Sequence, residues 1–287
     1  MTSLTDHAYA KINLTLDIGP PRPDGYHPIR SIMQTIALHD TLTVTHTPKS
    51  PGIVLEVTGE EAEGIPTDSS NLVCRAAAML ASPLAGLHIL LHKRIPSQAG
   101  LGGGSSNAAS TLRAVNMLLG LGQSRARLVE IGAALGADIP FFLTGGTALV
   151  EGRGEIVTPL PPLTPRWHFV LAKPSVGIST AAAYAALDTD LSRIPGAATE
   201  AWLRGSRRLG NDFETVIFRD NPQIASVAAY FRKTAESGES FTPLLCGSGA
   251  TVLCRVSTQE KAMQIAKEIR TIQQASVWVT STQEITE

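Results

Sequence analysis

Cysteine is scarce: Cys74, Cys246 and Cys254 are the only three in the chain. They cannot all pair with one another and none forms a C-x-x-C motif, so a disulfide framework is not expected and a reduced, intracellular protein is. Long apolar runs are absent as well. No stretch approaches the roughly 18 residues of a membrane helix, so no membrane partner is expected. The opening MTSLTDHAYAKINLTL puts no basic segment before an apolar run, so no secretory leader is expected, and the expected location is the cytoplasm. Neither sign of charge is in excess, with 24 Lys and Arg against 25 Asp and Glu. A broad electrostatic grip on nucleic acid needs surplus basic charge and is excluded on that ground. These features are compatible with a monomer or a weak homodimer.

What is present fits an ordered globular protein: 287 residues, 43% hydrophobic and 17% charged. That length suits one large domain or two of ordinary size. Strands are expected over Ala8–Asp17, Ser31–Leu38, Thr41–Thr45, Ile53–Val57, Leu87–Lys93, Thr147–Glu151 and Glu155–Val157. The Ser31–Leu38 and Thr41–Thr45 strands are read as a pair around His39-Asp40, and Gly19–Gly25 (GPPRPDG) as a turn. Helices are expected over Asn71–Ala81, Ser106–Leu119 and Ser124–Leu135. The segment Thr158–Arg166 holds four prolines in nine residues. It suits neither a helix interior nor a central strand, and marks a linker. Two units, 1–158 and 159–287, are therefore expected. Beyond the linker, strands are expected at Trp167–Ala172, Thr251–Val256 and Ala275–Ser281, with helices at Ser179–Leu187, Pro222–Glu236 and Thr258–Ile272. Mixed order without strict strand–helix alternation points to an α+β fold.

The richest segment is PSQAGLGGGSSN, covering Pro96, Ser97, Gln98, Ala99, Gly100, Leu101, Gly102, Gly103, Gly104, Ser105, Ser106 and Asn107. A strand enters it and a helix leaves. Backbone N–H groups at such a helix start form an anion site, and glycine lets a phosphate come close. Ser105 and Ser106 add hydroxyls for the phosphate or for a helix cap. No Gly-Lys pair exists, so this is not a P-loop. Nor is it a dinucleotide fingerprint, because Ser105 or Asn107 stands where a third glycine belongs. A second glycine pair occurs in LLCGSGATV, Leu244–Val252. His88 and His92 share a strand face, but no third ligand lies near them in sequence, and no metal ligand is assigned.

Pro96–Ala109 resembles the ATP-binding motif of the GHMP kinases, which include galactokinase, homoserine kinase and mevalonate kinase. AKINLTL (Ala10–Leu16), PDGYHPIRSIMQ (Pro23–Gln34), GADIPFFLTGGTALVEGRGE (Gly136–Glu155), NDFE (Asn211–Glu214) and CGSGATV (Cys246–Val252) resemble one branch of that family. That branch phosphorylates an alcohol carried on a cytidine diphosphate. The chain departs from the family pattern at Ser97-Gln98 and at Cys246.

The resemblance implies two α+β domains with the active site in the cleft between them. It implies transfer of the γ-phosphate of ATP to the 2-hydroxyl of 4-diphosphocytidyl-2-C-methylerythritol, in the non-mevalonate route to isoprenoids. Magnesium would be carried by the nucleotide. Asp138 is implied as the base that takes the hydroxyl proton, with Lys11 beside it. An ammonium near a carboxylate favours its charged form and offsets charge on the moving phosphoryl group. From the spacing alone, Pro140 is expected to force an extended path after Asp138. Tyr26 is implied as a ring stacked on cytosine, His27 as a hydrogen-bond partner for its edge, and Tyr184 as the second face of the sandwich. Asn13 shares a strand face with Lys11 and is a candidate substrate contact. Asn71 and Lys93 are candidate nucleotide contacts, against their plainer readings as a helix cap and a strand end. Two other functions remain open on the sequence: a kinase for a homoserine- or mevalonate-type alcohol, and a silent nucleotide-binding sensor. The PDGYH segment argues against the first, and retention of both Lys11 and Asp138 against the second.

Overall fold

A computed structural model describes residues 2–82, 85–190, 194–235, 242–273 and 275–284. In chain order the elements begin β1 (Thr2–Ile18), β2 (Ile29–His46), β3 (Ile53–Thr58), α1 (Leu72–Leu80), β4 (Leu87–His92), α2 (Gly103–Leu118), α3 (Arg125–Leu135), α4 (Ile139–Thr144), β5 (Thr147–Gly152) and β6 (Ile156–Leu160). They continue with β7 (His168–Lys173), α5 (Thr180–Asp188), α6 (Ala198–Leu203), β8 (Gly210–Asn211), α7 (Glu214–Asp220), α8 (Pro222–Ala235), β9 (Leu244–Leu245), β10 (Val252–Val256), α9 (Gln259–Gln273) and β11 (Ser276–Ser281). The expected end of α8 at Glu236 lies outside the described residues.

Strands β1 and β2 form a long antiparallel pair at the centre of the larger sheet. β2 is one continuous strand where a reversal at His39-Asp40 was expected. Its first half pairs with β5 and its second half with β4, so one strand serves two neighbours. The reversal fails because Asp40 is fully buried and does not face a turn's solvent. One carboxylate oxygen accepts from the backbone N–H groups of Arg94 (2.6 Å) and Ile95 (2.8 Å). The other is bonded by Lys93 Nζ and by Asn107 Nδ2. A buried charge survives only when so fully partnered.

Two irregularities interrupt the β1–β2 register, one at Tyr9/Ala10 and one at Asn13/Thr15. They bracket Lys11–Asn13. Such breaks re-aim side chains and are common beside sites. The smaller sheet runs β11-β7-β10-β9, all antiparallel. Its edges meet the larger sheet: Ile36 bridges Thr282, and Thr280 Oγ1 accepts from the Leu38 N–H. β8 adds to the larger sheet in parallel at Thr15–Leu16. One buried cluster joins Leu16, Ile18 and Phe141 to Phe213, Val170 and Val252. The prolines of the 158–166 segment begin on β6, a strand paired with β5 alone, where Pro159 breaks no second ladder.

Candidate active site

α2 begins at Gly103, three residues before the expected Ser106, so the glycine run is itself the first helical turn. Gly102 is the N-cap, with a left-handed φ of 71° and no side chain of its own to cap the turn, and among the described residues no other side chain bonds the N–H groups of residues 103–105. Its leading N–H groups therefore keep no side-chain partner, which is the condition for receiving an anion. The helix is drawn onto the sheet by small residues. Ser106 is buried, and its hydroxyl donates to the Tyr9 carbonyl oxygen at 2.6 Å, so it neither caps nor faces the loop. Gly104 is exposed, and Ser105 half-buried beside it. A β-carbon on Gly104 would meet only Leu72, at 3.8 Å.

Before the helix, Pro96, Ala99 and Leu101 are buried while Ser97 and Gln98 are exposed. The loop is stitched to β1 by the Lys11 N–H, which donates to the Leu101 carbonyl oxygen at 3.0 Å. The second glycine loop packs directly on it. The Ala250 N–H donates to the Gln98 carbonyl oxygen at 3.4 Å, and a β-carbon on Gly247 would lie 3.1 Å from the Gly100 carbonyl oxygen and 3.4 Å from Lys11 Nζ. The two glycine segments thus converge on the lysine.

Lys11 and Asp138 come together: Nζ lies 4.0 Å from Oδ2. The ammonium is 6% exposed and the carboxylate 32%, so the acid is the member a substrate can reach. Lys11 Nζ also donates to Asn13 Oδ1 at 2.7 Å. Asn13 Nδ2 donates to Ser31 Oγ at 2.8 Å, and Ser31 Oγ donates to the Thr15 carbonyl oxygen at 2.5 Å. That chain fixes which way the amide points and so where the lysine is held. Asp138 is followed by a helix, α4, where an extended path was expected. Pro140 sits in the first turn, where no intrahelical N–H bond is lost. The Asp138 carboxylate makes no capping bond. Behind the pair, Phe142 lies where a β-carbon on Gly102 would strike its ring, at 2.6 Å.

Two candidate nucleotide contacts have partners within the chain. Asn71 caps α1: its Oδ1 accepts from the Val73 N–H at 2.9 Å and its Nδ2 donates to the Pro66 carbonyl oxygen at 2.6 Å. Lys93 is 3% exposed and bonded to Asp40 and to Asn107 Oδ1, beneath Gly103. His88 pairs with Glu56 at 2.9 Å and His92 with Thr58 at 3.2 Å, each on the outer sheet face.

The PDGYH segment lies at the far end of β1 and β2. His27 is buried, its Nδ1 2.9 Å from the Gly19 carbonyl oxygen. A carbonyl only accepts, so Nδ1 carries the hydrogen. Its Nε2 lies 3.1 Å from Asp188 Oδ1, and its ring stacks on Tyr184 with centroids 4.9 Å apart. Tyr26 is 54% exposed, and Arg153 covers one side of its ring. The structure therefore joins His27 to Tyr184 and leaves the neighbouring Tyr26 ring exposed.

Sequence reading gave no role to the carboxylates and amide that hold these loops. Asn211 Nδ2 donates to the carbonyl oxygens of Leu245 (2.8 Å) and Gly247 (2.7 Å), which pins the second glycine loop. Glu214 Oε1 accepts from the Leu245 N–H at 2.9 Å, and burial pushes its carboxyl up to about 7. Asp212 accepts from the Ile18 N–H, and Asp17 from the first N–H groups of α6. Asp40 had a usable signal. In Ile36, Leu38, Asp40, Leu42 and Val44 it occupies the apolar phase of a two-residue alternation.

Residues 71–146 match the family model described as GHMP kinases N terminal domain. A 4-diphosphocytidyl-2-C-methyl-D-erythritol kinase from Moorella thermoacetica is 43% identical over 283 residues, covering 94% of this chain and 96% of the relative. A crystal structure of a 4-(cytidine 5'-diphospho)-2C-methyl-D-erythritol kinase superposes with a TM-score of 0.80 at 30% identity, over 98% of this chain and 100% of that one. A homoserine kinase from Cytophaga hutchinsonii, 17% identical, covers 99% of this chain and 95% of its own with a TM-score of 0.74, a likeness of fold alone.

Proposed function

The chain belongs to the 4-diphosphocytidyl-2-C-methyl-D-erythritol kinases of the GHMP kinase family, and on that premise we propose that it phosphorylates the 2-hydroxyl of 4-diphosphocytidyl-2-C-methyl-D-erythritol with ATP, giving ADP and the 2-phosphate. The reaction belongs to the non-mevalonate route to isoprenoid precursors. The supporting observation is the Lys11–Asp138 pair, set against the uncapped first turn of α2.

The loop fits a nucleotide phosphate. Among the described residues no side chain bonds the first-turn N–H groups after Gly102, and Gly104 leaves open space on the exposed side of the turn. Residues Gly102–Ser105 would hold the phosphates, with Pro96–Leu101 shaping the approach. ATP supplies the transferable phosphoryl group, and magnesium would arrive on it through phosphate and water. Phosphoryl transfer needs chiefly positioning and charge stabilisation. Asp138 accepts the hydroxyl proton at its carboxylate. Lys11, held by Asn13 and Ser31, keeps a positive charge beside that carboxylate and beside the oxygen that gains charge. The cytidine falls to PDGYH, with the exposed Tyr26 ring as stacking face and His27 Nε2, now against Asp188, at the base edge. Tyr184 acts by seating His27. We place the division into two units near residue 158, take the working location as the cytoplasm and the working form as a monomer or weak dimer.

The test is ADP release from magnesium-ATP with one alcohol at a time: the cytidyl compound, unmodified methylerythritol phosphate, homoserine and mevalonate. Turnover with the cytidyl compound alone is expected. Turnover with homoserine or mevalonate would retain the chemistry and discard the cytidine reading. None with any, despite ATP binding, would favour a sensor.

A further inference from the structure

The turn between β5 and β6 carries a cation that the proposed chemistry does not use. Arg153 sits at its tip, and its guanidinium carbon lies 4.0 Å from the centre of the Tyr26 ring. Nη2 donates to Asp24 Oδ2 at 2.7 Å. The backbone of the turn is held in place, because the Arg153 N–H donates to Glu155 Oε2 at 2.6 Å. The same turn touches the segment on the other side of the site. A β-carbon on Gly154 would stand 3.2 Å from the Ala137 carbonyl oxygen, and Ala137 immediately precedes Asp138. Sheet register gives a third fix: Gly152 pairs with Ile29, two residues after His27. Arg153 thus hangs from a fixed turn that abuts the Asp138 segment at one end and reaches the Tyr26 ring at the other.

In the substrate named above, the reacting alcohol and the cytidine are joined by a diphosphate. With the hydroxyl at Asp138 and the base at Tyr26, that diphosphate crosses the space over which Arg153 extends. The arginine's present partnership is easily given up. Both side chains of the Arg153–Asp24 pair are 44% exposed, and exposed ion pairs contribute little. A diphosphate offers more negative charge than one carboxylate, and oxygens spaced for a guanidinium fork. We infer that Arg153 is a specificity residue that exchanges Asp24 for the diphosphate of the substrate, so that the site reads the linker as well as the base. This rests on the cytidine reading under Proposed function.

Calorimetric titration of the full chain with CDP and with cytidine, for wild type and Arg153→Gln, separates the two ideas. The variant is expected to bind CDP roughly tenfold or more weakly and cytidine within about twofold of wild type. Equal losses for both ligands would mean that Arg153 acts only through the Tyr26 ring, and would overturn the inference. Unchanged CDP affinity would overturn it while leaving the proposed function intact. Failure of wild type to bind CDP at all would bring down the cytidine reading and this inference with it. Asp24→Asn supplies a second arm: freeing the arginine should leave CDP affinity at least as high. A loss as large as that of Arg153→Gln would contradict the exchange.

Discussion

The carbonyl oxygen of Cys246 occupies the space that a β-carbon on Gly100 would need. Gly100 also has a φ of +73°, where side chains are strained. Gly100→Ala should therefore cost about 2–4 kcal/mol, from the left-handed backbone and the overlap together. It should also weaken ATP binding, because the two glycine loops must part. Thermal unfolding and nucleotide titration check this. A variant with wild-type Tm and ATP affinity would show that the loops are not locked together.

Asp40 anchors the start of the phosphate loop from below. It holds the N–H groups of Arg94 and Ile95 and balances the buried Lys93. Asp40→Asn leaves that lysine without its counter-charge, at a cost of about 3–5 kcal/mol. Adding Lys93→Met should recover part of the loss, since it removes the stranded charge. Chemical denaturation of the single and double variants measures it. A double variant no more stable than the single would deny the pairing its role.

Glu214 makes stability depend on pH. Burial raises its carboxyl from an ordinary 4.5 to about 7, so the folded chain holds the proton more tightly than the unfolded chain. This contribution is fully present below about 4.5 and is lost as pH rises through about 7. Glu214→Gln keeps an acceptor for the Leu245 N–H but cannot ionise. Relative to wild type, its Tm should improve between pH 5 and pH 8, by an amount equivalent to about 2 kcal/mol. A Tm difference that stays constant across that range would contradict the shift.

The long periodic elements were legible because burial enforces their pattern, as in α1, α3, β4 and the strand–loop–helix around the glycine run. What failed did so for local reasons. His39-Asp40 has turn-forming composition, yet Asp40 lies on the buried phase of a strand, and its partners come from β4's end and α2. Pro140 was read as a breaker, but a first-turn proline starts a helix. For Asn71, Lys93 and Ser106 the sequence left a nucleotide contact and a structural role side by side, and the structure shows the structural bonds, to the backbone or to buried side chains. Asn211 and Glu214 went without a role because their partners lie on and after β9, beyond two helices and more than thirty positions away. The meeting of Lys11 with Asp138 is likewise long-range. It was named from the resemblance, since no local pattern joins β1 to the start of α4.

The central claim is that Asp138, held beside Lys11, takes the proton from the reacting alcohol. The most direct test is Asp138→Asn, with turnover of the cytidyl substrate and ATP affinity measured on the same preparation. Turnover should fall by at least about a hundredfold, the usual contribution of a placed base, while ATP affinity stays near wild type. Wild-type turnover in the variant would remove Asp138 from the chemistry and contradict the account.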